Sequence, residues 1–184
     1  MILLEDVFKK VVTFLNKERC KYIIIGGIAA GTLGEPRVTG DVDIDIKMDP
    51  SDITDFLNKA EKEGFKFSSK QCLTKVEHTG TFQINYGAFH IDFIIASTDF
   101  EKVAFERKEI IKLYGIKAFF PTPEDLILLK LIPGRDKDLL DAKNVILRHK
   151  GKLDINYLKK WAEIFCDEAH DMRIWNILTR LLED

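Results

Sequence analysis

The positions of hydrophobic and polar residues divide the chain into a first part with strands and helices and a last part with helices alone. Apolar residues at helical spacing predict an amphipathic helix over residues 4–18, and a β-branched run predicts a buried strand over residues 22–25. Further strands are predicted over residues 41–46, 65–68, 72–77, 81–86, 89–96 and 109–114. Further helices are predicted over residues 28–33, 50–63, 99–107, 124–132, 136–149, 154–165 and 170–182.

These elements indicate a fold of the α+β class, in which an α/β core with a mixed sheet and flanking helices is followed by a helical C-terminal part. A boundary is expected near residue 120, so residues 1–120 would form the α/β core and residues 121–184 the helical part. The helical part is short for an independent domain. We therefore expect it to pack on the core and to give one compact unit.

Composition restricts the class of protein. Of 184 residues, 46% are hydrophobic and 32% are charged, which excludes a disordered or fibrous chain. No apolar run approaches the ~20 residues that span a bilayer, and the first residues lack the features of a signal peptide. Three scattered cysteines without a C-x-x-C motif argue against a disulfide framework or a zinc site. The sequence predicts a cytoplasmic protein with no membrane partner.

The net charge of −2 hides an uneven distribution of charged residues. Residues 40–63 contain eight acidic residues and three lysines, whereas residues 130–160 contain nine basic and four acidic residues. Two solvated helix faces would account for this pattern. Alternatively, the acidic segment concentrates cations and the basic segment attracts phosphates, with a mild preference for RNA. The charges alone leave both interpretations open.

Three aspartates alternate with apolar residues in the stretch Asp41-Val-Asp43-Ile-Asp45. Side chains two positions apart on a strand point the same way, so the three carboxylates would share one face. Like charges this close raise each other's pKa or recruit a cation, and Mg²⁺ binds carboxylate oxygens. An exposed face with solvated aspartates is the alternative, although Asp is disfavoured in strands.

Other residues suit the same chemistry, each with a plainer alternative. The Gly26-Gly27 turn between a strand and a helix lets backbone amides approach a phosphate, although many such turns contain glycine. Asp92 lies in an otherwise apolar strand and would need either a metal or a basic partner. Residues 126–132 leave almost no polar helix face, so Lys130 must reach an anion, which is either a triphosphate or a structural carboxylate. 

A third group of charged residues follows Lys130 in the chain. Arg135, Asp138 and Asp141 are spaced so that they share one helix face. Arg135 and Asp138 would also make an ordinary ion pair within a helix.

Together these motifs resemble the nucleotidyltransferase superfamily of the DNA polymerase beta type, in which a strand ending in Gly-Gly precedes a short helix and a strand bearing D-x-D. The stretch from Gly26 to Asp43 is most similar to the AbiEii/AbiGii abortive-infection toxins, with the pattern G-G-x-A and then G-x-P-R-x-T-x-D-h-D, where h is apolar. That register selects Asp41 and Asp43 and leaves Asp45 as an addition, although Asp43 and Asp45 also satisfy a bare D-x-D. Residues 121–141 are similar to two later blocks of the same family, P-x-x-L-x-x-x-K and G-R-x-K-D-x-x-D.

The resemblance covers about residues 22–145 and implies a metal-dependent transferase that moves an NMP from an NTP such as ATP to a hydroxyl acceptor. It implies that Asp41, Asp43 and Asp92 are catalytic and bind Mg²⁺ or Mn²⁺. It implies nucleotide-binding roles for Gly26, Gly27, Arg37, Thr39, Lys130, Arg135, Asp138 and Asp141. The implied acceptor is an RNA end such as that of tRNA, a protein hydroxyl or a small molecule such as an aminoglycoside. The implied biological role is that of a toxin with an antitoxin partner.

Two other interpretations stay open at the level of the sequence. One is a non-catalytic nucleotide-binding regulatory module that keeps the same fold. The other is a structural sheet whose aspartates bind nothing. The presence of Asp41, Asp43 and Asp92 together favours the enzyme, because the loss of one aspartate would be the simplest sign of an inactive relative.

Overall fold

The computed structural model describes residues 2–183, in which a four-stranded mixed sheet and a two-stranded sheet are combined with helices. The strands are β1 (Lys21–Ile24), β2 (Asp41–Lys47), β3 (Thr81–Tyr86), β4 (Phe89–Ile95), β5 (Glu109–Leu113) and β6 (Ile116–Phe120). The helices are α1 (Leu4–Lys17), α2 (Gly26–Leu33), α3 (Ile53–Lys62), α4 (Ser69–Thr79), α5 (Asp99–Arg107), α6 (Pro123–Leu131), α7 (Asp136–Arg148), α8 (Ile155–Ala169) and α9 (Arg173–Glu183). A short 3-10 helix over Pro50–Asp52 precedes α3.

Most predicted elements are confirmed, and the main errors fall between α3 and β3. The strand predicted over residues 72–77 is wrong, because this segment lies within α4. Its helical state is set at both ends: the Ser68 side chain accepts a hydrogen bond from the Gln71 backbone N–H, and Gly80 adopts the left-handed conformation that ends helices. The strand predicted over residues 65–68 is reduced to a single bridge between Lys66 and Asn85.

Two smaller differences concern β6 and α2. Strand β6 was not predicted, and it forms a hairpin with β5. Helix α2 begins at Gly26, two residues before the predicted start. Among the helices of residues 2–183, none combines the length and the apolar composition that crossing a bilayer requires.

The four-stranded sheet has the order β1-β2-β4-β3, with β2 and β4 parallel and the other neighbours antiparallel. One face is apolar, as the alternation predicts, and its side chains from β2, β3 and β4 are buried. Phe56 of α3 makes edge contacts with Phe82 and Phe93 of this face and with Phe14 of α1. The core therefore covers one side of the sheet and leaves the aspartates on the other side.

Contacts between residues divide the chain into two compact units. The first unit contains the residues up to Ile28 and Val38–Phe120, and the second contains Ala29–Arg37 and the residues from Pro121 onward. Both sheets lie in the first unit, and the second unit contains helices α6 to α9 with the end of α2. In the second unit, α6 contacts α7, α8 and α9. The predicted burial of this helix is confirmed, since four of its apolar residues are fully buried: Leu126, Ile127, Leu128 and Leu131.

Asp45 differs from the other aspartates of β2 because it is removed from solvent. It lies opposite Ile23 on one neighbouring strand and Ile94 on the other. The residue is 1% exposed, and within residues 2–183 its Oδ1 atom has no hydrogen-bond partner. Burial, followed by the negative charges of Glu101 and Asp43, raises the pKa of Asp45 to about 8. Asp45 therefore carries a proton at neutral pH.

This raised pKa predicts that stability falls as the pH rises from the ordinary pKa of 3.8 to about 8. In this range the folded protein keeps a proton on Asp45 that the unfolded chain has released, so the free energy of unfolding decreases with pH. Asp45→Asn should remove this decrease and, above pH 8, exceed the wild type in stability by on the order of 5 kcal/mol. Urea unfolding at several pH values in EDTA measures the effect.

The matched control is Asp99→Asn, which changes an exposed aspartate that makes an ion pair with Lys102. This variant should keep the decrease of the wild type over the same pH range, because the pKa of Asp99 is lowered rather than raised. Parallel pH profiles for the wild type and Asp45→Asn would contradict a buried, protonated Asp45.

Candidate active site

Strand register arranges the side chains on the polar face of the four-stranded sheet in rows. Asp43 of β2 lies opposite Asp92 of β4, and Asp92 lies opposite Gln83 of β3. In the next row, Asp41 lies opposite His90. Paired residues on neighbouring strands point to the same face and are close enough to interact. The sheet thus brings together the three aspartates predicted as catalytic on a single face.

Hydrogen bonds orient the side chains at the β3 end of these rows. Gln83 Nε2 donates to Asp92 Oδ1 at 2.6 Å. Asn85 Nδ2 donates to the Lys66 carbonyl oxygen at 3.3 Å, so Asn85 Oδ1 is the atom that accepts from His90 Nδ1, at 2.6 Å. Within residues 2–183, no lysine or arginine forms an ion pair with Asp92, and its hydrogen-bonding neighbour is the neutral Gln83.

The start of α2 lies against the other end of the Asp43 row. Gly26 has φ +62°, and a Cβ atom there would lie 1.8 Å from Asp43 Oδ2. The Ile25 backbone N–H donates to the Asp43 carbonyl oxygen at 2.9 Å, which holds the turn beside β2. Only glycine satisfies both the left-handed conformation and the close approach of the carboxylate. Gly27 follows as the second residue of the helix and is buried.

The carboxylates of this face have the donor chemistry for a hard cation. Within residues 2–183, no three His, Cys, Asp or Glu side chains lie close enough together to hold a metal ion by themselves. Asp43 and Asp92, however, face each other from strands that are about 4.8 Å apart in a sheet. Mg²⁺ commonly takes one or two protein carboxylates and completes its shell with substrate phosphates and water. These two residues fit such an ion.

The second unit contains an ionic network around Lys130. The Lys130 side chain is 8% exposed, and its Nζ lies 3.1 Å from Asp138 Oδ1 and 2.8 Å from Asp141 Oδ2. Arg37 donates to both oxygens of Asp141, at 2.7 and 3.0 Å. The sequence left open whether Lys130 contacts a triphosphate or a structural carboxylate. In the structure, Lys130 contacts the carboxylates of Asp138 and Asp141.

Arg135 extends this network to the surface. Its Nε lies 2.5 Å from Asp138 Oδ2, and its side chain is 63% exposed. Burial alone would raise the pKa of Asp138 and Asp141, but the hydrogen bonds from their basic neighbours outweigh it and hold both pKa values below the usual range. Both aspartates are therefore ionised and paired. Thr39, the remaining predicted residue, is half-buried in the loop before β2.

Sequence reasoning missed the polar residues next to Asp92. Gln83 and Asn85 alternate with the buried residues Phe82 and Ile84, so the predicted strand already placed them on the polar face. Their position near Asp92, however, depends on the pairing of β3 with β4, which the sequence did not predict. Polar residues of α4 were missed because that segment was assigned to a strand. The signals for a helix were Ser68 before it and Gly80 after it.

Comparisons with solved structures show that this fold is nucleotidyltransferase-like. The lincosamide antibiotic adenylyltransferase LnuA, bound to lincomycin, is 15% identical with a TM-score of 0.54, over 78% of this chain and 96% of that one. An antigenic nucleotidyltransferase-like protein from Paracoccidioides brasiliensis is 18% identical with a TM-score of 0.56, over 98% and 92%. The antibiotic-resistance factor ANT(2'')-Ia is 11% identical with a TM-score of 0.58, over 90% and 97%.

Sequence comparison identifies the family directly. No curated protein matches the chain. Residues 3–181 match the model of the family described as "Nucleotidyltransferase of unknown function (DUF6036)", which covers nearly the whole chain. The chain therefore belongs to this family of nucleotidyltransferases.

Proposed function

We propose that this protein is a magnesium-dependent nucleotidyltransferase that moves an NMP from an NTP to a hydroxyl acceptor. The observation that carries the proposal is the row in which Gly26 lies against Asp43 and Asp43 lies opposite Asp92. This row combines a turn suited to phosphates with two carboxylates suited to a divalent cation. Membership of a nucleotidyltransferase family supports the same chemistry.

The residues of the row take different parts in the proposed reaction. A bound Mg²⁺ would neutralise phosphate charge and lower the pKa of the acceptor hydroxyl, and Asp43 and Asp92 would hold it with Asp41 beside them. The backbone of Gly26 and Gly27 binds the leaving phosphates. The acceptor oxygen forms its bond to the α-phosphorus as the bond to the pyrophosphate oxygen breaks. The hydroxyl proton passes to the Asp92 carboxylate and then to water.

The finer parts of the family resemblance belong to the same proposal. ATP as the nucleotide and a toxin role with an antitoxin partner are proposed on that resemblance. A cytoplasmic location is proposed on the three scattered cysteines. The acceptor is proposed among RNA ends such as tRNA, protein hydroxyls and small molecules. Two structural neighbours are named for antibiotic modification or resistance, which supports testing hydroxyl-bearing antibiotics among the small molecules.

Asp43→Asn tests the central role of the carboxylate pair. Removal of this charge should lower the rate of transfer by about a thousandfold, because charge neutralisation by a metal contributes several kcal/mol to the transition state. The assay incubates the protein with labelled NTPs and Mg²⁺ in the presence of total cellular RNA, protein or antibiotics and identifies which pool becomes labelled.

The control for this variant is Asp55→Asn, which changes an exposed aspartate of α3. It should retain the rate of the wild type. Circular dichroism checks that both variants are folded. Retention of full turnover by Asp43→Asn would refute the proposed metal role.

Two glycine substitutions in α2 should have opposite effects on stability. Gly26→Ala places a methyl group on the Asp43 carboxylate and forces alanine to φ +62°, so it should destabilise the protein and abolish ATP binding. Gly31→Ala meets only atoms at 3.6 Å or beyond in the helix interior, so it should stabilise by about 0.5–1 kcal/mol. Urea unfolding and calorimetry with ATP measure the two effects. Equal behaviour of the variants would contradict the close packing of Gly26 on Asp43.

Lys130→Met separates the structural role of the ionic network from nucleotide binding. This change leaves the buried Asp138 and Asp141 with one arginine partner each and should destabilise by about 1.5–3 kcal/mol, because their hydrogen bonds to a charged group are lost. Arg135→Ala removes a side chain that is 63% exposed and should cost about 1 kcal/mol or less. Unfolding measures stability, and ATP titration of the folded variants measures their nucleotide affinity. A Lys130→Met variant as stable as the wild type would reject the structural role.

A further inference from the structure

A small pocket of the first unit lies between helix α4 and strand β3. Its volume is about 70 Å³, which admits several water-sized groups but is far too small for a nucleoside. Cys72 Sγ of α4 donates to the Gln83 carbonyl oxygen at 3.3 Å and holds the helix against the strand. The polar residues that line the pocket are Ser68, Gln71, Lys75, Gln83 and Asn85.

Gln83 connects this pocket to the candidate active site. The residue lines the pocket, and its Nε2 donates to Asp92 Oδ1 at 2.6 Å. Asp92 lies opposite Asp43, and Gly26 lies against Asp43 on the other side. The row therefore runs from the glycine turn through the two carboxylates to the pocket.

In the proposed reaction, different groups of the substrates lie at the Gly26 end and at the Gln83 end of this row. In transfer of a phosphorus group, the attacking and leaving oxygens lie roughly in line on opposite sides of the phosphorus. With the leaving pyrophosphate at the turn that contains Gly26, the attacking hydroxyl approaches from the end of the row at Gln83. The pocket then receives the part of the acceptor next to that hydroxyl.

Two amides of the pocket wall are already engaged within the protein. The Gln83 amide donates to Asp92. The Asn85 amide donates to the Lys66 carbonyl oxygen, and its oxygen accepts from His90. These residues therefore form an ordered wall, and the hydrogen bonds to an acceptor come from the helix on the other side.

Helix α4 and Ser68, the residue that caps it, supply three donors to the pocket. Ser68, Gln71 and Lys75 are spaced so that they share one helix face. Within residues 2–183, Lys75 has no acidic partner, and no aspartate or glutamate lines the pocket. An anionic group would gain a charge-assisted hydrogen bond from Lys75, whereas a cationic group would meet its charge without compensation.

We propose that this pocket is the acceptor subsite and that the acceptor carries a phosphate next to the attacking hydroxyl. The inference rests on the proposed nucleotidyl transfer and adds the chemical class of the acceptor. The reaction is unchanged: the hydroxyl oxygen bonds to the α-phosphorus, pyrophosphate leaves, and the proton passes to Asp92. A small phosphate ester and the last phosphodiester of an RNA with a 3′ hydroxyl share this chemistry.

Three acceptors that differ in one charged group test the proposal: glycerol 2-phosphate, glycerol and serinol, which are anionic, neutral and cationic. With labelled NTP and Mg²⁺, glycerol 2-phosphate should be labelled about tenfold faster than glycerol, the effect of one charge-assisted hydrogen bond, and serinol should be slowest. Lys75→Ala should remove this preference. Lys70→Ala changes the same residue type on the same helix outside the pocket lining and should keep it.

A short RNA with a 3′ hydroxyl forms the second arm of the experiment. Faster labelling of the RNA than of glycerol 2-phosphate assigns the phosphate to a phosphodiester, and the reverse assigns it to a small ester. Equal labelling of the three small acceptors, a preference for serinol, or equal losses in the two lysine variants would overturn the proposal.

Binding without transfer keeps this inference separate from the proposed function. The side-chain amide signals of Gln71 and Gln83 should shift saturably in NMR spectra when glycerol 2-phosphate is added, and Lys75→Ala should abolish the shifts. These shifts without transfer to any acceptor would reject the proposed function and retain an anion site. Transfer without these shifts would reject the pocket, and the absence of both would reject both proposals.

Discussion

The parallel pairing of β2 with β4 is the interaction on which the candidate active site depends. It places Asp43 opposite Asp92 on one face, while Ile44 and Phe93 are paired and fully buried on the other. Because side chains alternate along a strand, a shift in register by one residue would bury the carboxylates and expose the apolar side chains. The hydrophobic core therefore fixes the alignment of the acidic side chains from the opposite face of the sheet.

Acidic residues gathered on one face of a sheet destabilise it unless their repulsion is relieved. The structure contains a different arrangement at each of three positions. Asp45 is buried and protonated, Asp92 accepts a hydrogen bond from Gln83, and Asp43 lies beside the start of α2. Of these arrangements, only the protonation of Asp45 removes a negative charge. A cation bound between Asp43 and Asp92 would balance the charge that the neutral neighbour of Asp92 leaves in place.

In the second unit, buried aspartates stay ionised because basic side chains of the protein pair with them. Asp138 and Asp141 share the buried ammonium of Lys130, and each also accepts hydrogen bonds from an arginine. Each aspartate thus has two basic partners, and their shared contact with Lys130 of α6 holds α7 against α6. The sequence shows aspartates with basic residues nearby in the chain at 130–141, but only the tertiary structure shows that the charges are satisfied within the protein.

How much could be predicted from the sequence depends on how strong the local signals are. Strands β2 and β4 could be predicted because polar residues alternate with β-branched and aromatic residues, and the same alternation places Asp43 and Asp92 on a polar face. The choice of Asp41 and Asp43 over Asp45 rested on the family resemblance. Helix α4 was missed although Cys72 and Val76, its buried residues, lie four positions apart, as on one face of a helix, and although Ser68 and Gly80 cap its two ends. The proposed chemistry of transfer lies on the well-defined strands, whereas the choice of acceptor is proposed to depend on α4. Ser68 and Lys75 line the same pocket, and this depends on the helical state of the segment, so an error in secondary structure there conceals the proposed acceptor subsite while leaving the reaction class recognisable.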